Sequence, residues 1–366
     1  MGEKLKQIDK RFLIIVGAIF GVLVLVIVIA VVMKAISGKN LSYEKIEEKL
    51  LKAAEEYVTD GVVDAPTEGT SIVITDKELS GAEYIKELSE YTDDTCTGSV
   101  TVMNNGGLAL YIPDLQCKKY MTQHLATKVI DDHLVTEPIV DGTYQFGLYN
   151  VEDEYIFKGK EVNNYVTFGG VIWRIIKIDS NGNLRLIKST PEEDKVPWDE
   201  KYNEEIGKSY GINDYANSYL LEALNHDYAG FNEENKKHLI PHDVCIGSRG
   251  QMDTGISYEF DCSKILEKQY ISTLTTLDVP MASLDPGCTT VTNGSCTNYN
   301  YMVGISAWTL NSYADNTYEA FAVGGIVGKR RASKLSNYYW VIYVNGNEPY
   351  SGGSGTPEDP YIIGEQ

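Results

Sequence analysis

NNYVTFGGVIWRIIKI, Asn163 to Ile178, decides the fold class. Two runs of β-branched and aromatic residues flank Gly169-Gly170, the pattern of strand, turn, strand. Strict alternation places Val171, Trp173 and Ile175 on one face and Ile172, Arg174, Ile176 and Ile178 on the other. Both faces are largely apolar, so the second run reads as a central strand covered on both sides. An arginine there is expected to be at least half-buried, with a carboxylate or several backbone carbonyls at its guanidinium. Trp173-Arg174 is therefore read as core rather than as a ligand site.

Working downstream, DSNGN makes a turn between Ile178 and Leu184. INDYANSYLLEALNHDYAGF is helical, with Tyr215, Tyr219, Leu220, Ala223 and Leu224 at helical spacing. EENKKHLIP reads as a second short helix ended by Pro241. From Cys245 the chain is loop-rich and closes with the strand-like AFAVGG, NYYWVIYV and GSGTPEDPYII. Upstream, LSYEKIEEKLLKAAEEYV carries Ile46, Leu50, Ala53, Ala54 and Tyr57 as one apolar stripe. Ser42 is the expected N-cap, and Gly61 ends the helix. TSIVIT is a strand, DKELSGAEYIKEL a short helix, and CTGSVTVMNNGGLALYIPDLQC a hairpin.

The formal charge is −20 and uneven. The first 40 residues carry +4, so the remainder carries −24. That acidic body argues against a nucleic-acid partner, which needs basic surface. Phe12 to Met33 holds 22 residues without a charge, and a spanning helix needs about 20. No small-residue cleavage site closes the run, so it reads as a retained anchor over residues 12–36. Lys4, Lys6, Lys10 and Arg11 make residues 1–11 a cytoplasmic tail, leaving the bulk of the chain extracellular.

All six cysteines lie beyond the anchor. An even number on an exported body points to disulfides. Nearest-neighbour pairing, Cys96–Cys117, Cys245–Cys262 and Cys288–Cys296, is the expectation. Metal binding is the rival, and the chain has no C-x-x-C pair.

The anchor, the helix with YEKIEEKLLKAAEEYV, ITDKELSGAEYIKEL and the cysteine-bounded hairpin together resemble type IV pilin-like, membrane-anchored surface proteins of low-GC Gram-positive bacteria. The chain lacks a processing site before Phe12 and a glutamate within the span, so the resemblance carries the architecture and not the filament. From about residue 140 a W-R-I strand, an Asn-x-Tyr-Leu-x-x-x-Leu-Asn helix, a cysteine-containing loop region, Trp-Thr-Leu and SGGSGTPEDPYII resemble the C-type-lectin-like domain of bacterial surface proteins. That fold is shared with sulfatase-modifying-factor-like domains. Where the family has Arg-Pro before the penultimate strand, this chain has SNYYWVIYV. The expected fold class is α+β, with a transmembrane helix, a stalk helix and pilin-like unit over 41–128, and a lectin-like domain over 137–366.

Chemistry-bearing motifs are sparse. The chain has no G-x-S-x-G elbow, H-E-x-x-H or P-loop. His238 and His242 beside Cys245 mimic a zinc site, but Pro241 interrupts the helix that would align them. The lectin calcium motifs E-P-N, Q-P-D and W-N-D are absent, so no metal and no cofactor is assigned. By resemblance to sulfatase-modifying enzymes, Cys288 and Cys296 would form a reactive pair in an oxidase; a minor pilin or secretion-system component is the other alternative. The leading expectation is a cell-surface binding protein for an extracellular glycan or protein. Aromatics of loops near 198–215 and 298–320 are its candidate contacts: Trp198, Tyr202, Tyr210, Tyr299, Tyr301, Trp308, Tyr313 and Tyr318. Membrane through residues 12–36 and self-association through the stalk helix complete the expected partners.

Overall fold

The computed structural model describes residues 41–105 and 107–364. The expected tail and anchor, residues 1–11 and 12–36, lie outside them. Among the described residues no helix is long and apolar enough to cross a membrane. The fold is mixed α+β, with several sheets and few helices.

The chain forms two compact units. The sequence pattern set the boundary between residues 128 and 137. Residues 65–72 and 102–112 belong to the second unit, which then runs on from Gln123. The helix Leu125–His133 explains the shift, since its Leu125, Ala126 and Val129 join the second unit's core.

In the first unit, the helix Tyr43–Thr59 buries Ile46, Leu50, Ala53 and Ala54. The stripe is thus buried, as packing against the body of the chain requires. Glu47 is buried beside it and accepts hydrogen bonds from Thr122 Oγ1 and, at 3.1 Å, from Tyr120 Oη. Ser42 holds the N-cap position, yet its side chain makes no capping bond. Gly61 closes the far end at φ +72°, and the Val62 amide reaches back to the Tyr57 carbonyl at 3.2 Å. Thr75 and Glu78 cap the helix Asp76–Gly81 reciprocally. The strands Cys96–Asn105 and Leu108–Cys117 form the hairpin, and the Cys96–Cys117 disulfide ties its ends.

The second unit is built on a seven-stranded sheet. Val171–Ile178 lies inside it, flanked by Leu184–Lys188 on one side and by Glu154–Lys158 and Tyr165–Phe168 on the other. Tyr361–Ile362 returns to pair in parallel with Val166 and Thr167. A three-stranded meander, Ser306–Ser312, Glu319–Gly324 and Ile326–Arg331, adds a second sheet. Gly355 lets the tail approach the opening stretch: a Cβ there would sit 2.5 Å from the Asn163 carbonyl oxygen.

The strict alternation expected along Val171–Ile178 fails at one point. Lys177 pairs with Arg185 while Ile175 pairs with Leu186, so Ile176 is an extra residue in the ladder. This bulge turns Ile176 and Ile178 to the side of Trp173 and Ile175, and all four are buried. The other face carries Ile172, 37% exposed, with half-buried Arg174 and Lys177.

Arg174 is held in place by oxygen acceptors and two aromatic rings. Its Nε donates to Asn164 Oδ1 at 2.8 Å, and its terminal nitrogens reach the Tyr301 and Val162 carbonyls at 3.4 and 3.5 Å. The guanidinium lies between the rings of Tyr165 and Tyr301, 4.5 and 4.4 Å from their centroids. Asn164 is fully buried and also donates to the Ile175 carbonyl at 2.7 Å. Arg174→Met is therefore expected to destabilise the second unit by about 2 kcal/mol, because Asn164 Oδ1 loses its donor. Denaturant unfolding followed by tryptophan fluorescence checks this. A loss under about 0.5 kcal/mol would show that the oxygen finds water instead.

Candidate functional site

Four of the eight aromatics expected to contact ligand are buried. Trp198 and Trp308 are fully buried, and their indole N–H groups donate to the Thr309 and Val196 carbonyls, each at 2.9 Å. Tyr301 and Tyr313 are buried as well. Trp308 lies within the strand Ser306–Ser312, and its ring packs inward. Tyr210 and Tyr318 are half-buried and touch at 5.7 Å, with Arg331 over Tyr210. Tyr202 and Tyr299 are exposed, and Tyr299 packs on Tyr144 at 5.1 Å. The eight do not make one surface.

His238 and the cysteines are likewise accounted for. His238 is buried and its Nδ1 lies 2.8 Å from Glu348 Oε1. Cys245 is bonded to Cys262, and Cys288 to Cys296. All six cysteines are thus paired.

An aromatic cleft of about 430 Å³ instead opens where the Phe168–Val171 turn meets the end of the helix Tyr219–Ala229 and Trp340. Gly169 and Gly170, both at positive φ, make that turn. A side chain at Gly169 would collide with the Asn235 amide, 2.5 Å from the position of its Cβ. Trp173 forms the floor and half-buried Trp340 one wall, with ring centroids 6.3 Å apart. Phe231 stands 5.2 Å from Trp340. Asp227 fixes that wall: its Oδ2 accepts from Trp340 Nε1 at 2.8 Å and from the Tyr338 hydroxyl at 2.7 Å. Lys188 covers the Trp340 ring at 4.2 Å. His226, Asn232 and Asn235 supply polar groups at the rim. Asp227, already accepting twice at one oxygen, orients the wall rather than moving protons. Rigid ring faces beside a few polar groups suit a small organic ligand. NYYWVIYV and NHDYAGF were legible as strand and helix, but nothing in either said that they meet.

A second, polar pocket of about 100 Å³ lies against another part of the sheet. Arg185 is buried and bonded through both terminal nitrogens to Asp278. Lys177 Nζ lies 2.6 Å from Glu154 Oε1. His242 faces the same pocket, 3.4 Å from Ser272 Oγ, and its Nδ1 finds no well-formed hydrogen bond. Burial, helped by the Arg185 and Lys177 charges, pushes the His242 imidazole down to about 3 from the ordinary 6.5. In the unfolded chain that ring takes a proton below pH about 6.5, whereas in the folded chain it stays neutral to about 3. The unfolded state then binds more protons, so stability falls as pH falls through this window. The slope reaches at most about 1.4 kcal/mol per pH unit. His242→Gln is expected to flatten the stability–pH curve by that much between pH about 6 and about 4. Parallel slopes in the two proteins would show that His242 is solvated.

Comparison with protein-family models, with curated proteins and with solved structures finds no match to this chain, so the reading of its site rests on its own residues.

Proposed function

We propose that this chain is a membrane-anchored surface protein whose second unit, lectin-like by sequence resemblance, binds an extracellular glycan. The observation that carries the reading is the cleft of Trp173, Phe231 and Trp340 with Asn232, Asn235 and His226 around it. A pyranose ring has an apolar C–H face and a hydroxyl edge. Trp340 and Phe231 offer flat apolar surface to the first, and the amides at the rim offer donors and acceptors to the second. The cleft volume lies within the usual range for small-ligand sites, roughly 300–1,000 Å³. Further support comes from the three disulfides, which fit an oxidising compartment outside the cell. The uncharged run from Phe12 to Met33 supplies the anchor, and the small unit beyond it, pilin-like by resemblance, acts as a stalk.

The test is a glycan array probed with the full chain, followed by titration of each hit with tryptophan fluorescence as the readout. Saturable quenching by at least one neutral glycan is expected. A folded protein that binds no glycan on the array overturns the reading.

A further inference from the structure

The polar pocket has a hydrogen-bonding imbalance that names its ligand. Arg185 pairs in register with Lys177 on one strand and with Tyr343 on the other, so three polar side chains line up across the sheet. The chain from His242 to Asp278 closes over them. Its inner carboxylate acceptors are in use, while Asp243 at the rim takes only the Lys268 amide, at 3.1 Å. Asp278 takes both terminal nitrogens of Arg185 and, at 2.7 Å, the Thr275 amide. Glu154 beside the pocket takes Lys177 on one oxygen and the Tyr258 hydroxyl, at 3.2 Å, on the other. Asp261 takes Arg249 and the Thr276 hydroxyl.

The spare capacity is on the donor side. The Lys177 ammonium has three N–H groups and one carboxylate partner. The Tyr343 hydroxyl bonds to nothing among the described residues. The His242 ring can present an N–H through its choice of tautomer. The pocket therefore lacks an acceptor. Its inner charges also cancel in pairs, Lys177 with Glu154 and Arg185 with Asp278, and Asp243 stands at the rim. A singly charged guest upsets that balance less than a phosphate dianion does. The volume is that of about three water molecules, enough for a carboxylate on a short stem. The mouth lies between Asp243 and Tyr258, both exposed.

We propose that this pocket binds a carboxylate group, held by Lys177 Nζ and the Tyr343 hydroxyl. The guest is either a free short-chain acid or the acidic end of a larger molecule. The test is a thermal-shift titration of the full chain at fixed ionic strength, replacing chloride by acetate, by glucuronate or by phosphate. A saturable rise in Tm with acetate alone assigns a free acid. A rise with glucuronate as well assigns the acidic end of a larger molecule. Tyr343→Phe, checked for folding by circular dichroism, is expected to weaken either response about tenfold. The His242 ring nitrogen resonances of the unmodified protein should move over the same concentrations.

Equal saturation by phosphate overturns the carboxylate assignment. The same non-saturating response in every salt, with still His242 resonances, shows that the pocket holds only water. An unchanged acetate affinity in Tyr343→Phe also overturns the site. None of these results bears on glycan binding at Trp340, which is read separately.

Discussion

Asp261→Ala is expected to destabilise the second unit by about 3–5 kcal/mol, the largest effect of any single change considered. Asp261 and Arg249 are both completely buried. Arg249 Nε donates to Asp261 Oδ1, and its terminal nitrogens reach the Asp253, Gly255 and Ser257 carbonyls at 2.9, 2.8 and 3.0 Å. Those carbonyls satisfy N–H groups without neutralising the charge. Removing Asp261 thus leaves a cation in the interior without its counter-ion. It also strands the Thr276 hydroxyl, which lies 2.8 Å from both carboxylate oxygens. Thr276→Val removes only a neutral donor and should cost about 1 kcal/mol.

The chain's four tryptophans, Trp173, Trp198, Trp308 and Trp340, all lie in the second unit, so their fluorescence reports its unfolding directly. The double change Asp261→Leu with Arg249→Met should recover much of the loss, since the pair is then replaced rather than broken. A single-change loss below about 1 kcal/mol, or no recovery in the double change, would show that water reaches Arg249.

Trp340→Ala is expected to weaken glycan binding by about 30- to 100-fold, the range of an aromatic anchor worth 2–3 kcal/mol. The ring is one wall of the cleft and is held there by Asp227. Trp340→Phe keeps a ring but loses the hydrogen bond to Asp227, so an intermediate loss is expected. Asp227→Asn should weaken binding by about tenfold through the same wall without touching the sugar itself. Lys188 and Glu192 shield the outer side of the ring, with Lys188 Nζ 2.5 Å from Glu192 Oε1. Titration of each variant with a glycan identified on the array measures these ratios. Equal affinity in Trp340→Ala and the unmodified protein would remove the cleft from consideration as the site.

The sequence by itself determined the elements whose information is local. The strand around Trp173-Arg174, the stripe of Ile46, Leu50, Ala53 and Ala54, and the Cys96–Cys117 hairpin follow from spacing within a few turns or one short loop. Neighbouring cysteines, 21, 17 and 8 residues apart, close short loops, and such closures lose little chain entropy. The enclosure of Arg174 was readable because a charge in an apolar strand needs partners. Their identities were not, since Val162 and Asn164 are brought close only by strand pairing and Tyr301 lies 127 residues away.

Only the tertiary structure decided which aromatics line a cleft. Trp198 and Trp308 read as ligand contacts in sequence, yet they are buried, with indole N–H groups on the Thr309 and Val196 carbonyls. Trp340 lies in a run that reads as an ordinary strand. It becomes a cleft wall because Asp227 and Phe231, more than a hundred residues earlier, fold against it. One extra residue at Ile176 reversed the facing of the strand's second half. Periodicity records how a segment presents its own side chains. Which acceptors, rings and charges meet them depends on contacts between segments far apart in the chain, and those are fixed when the cores close.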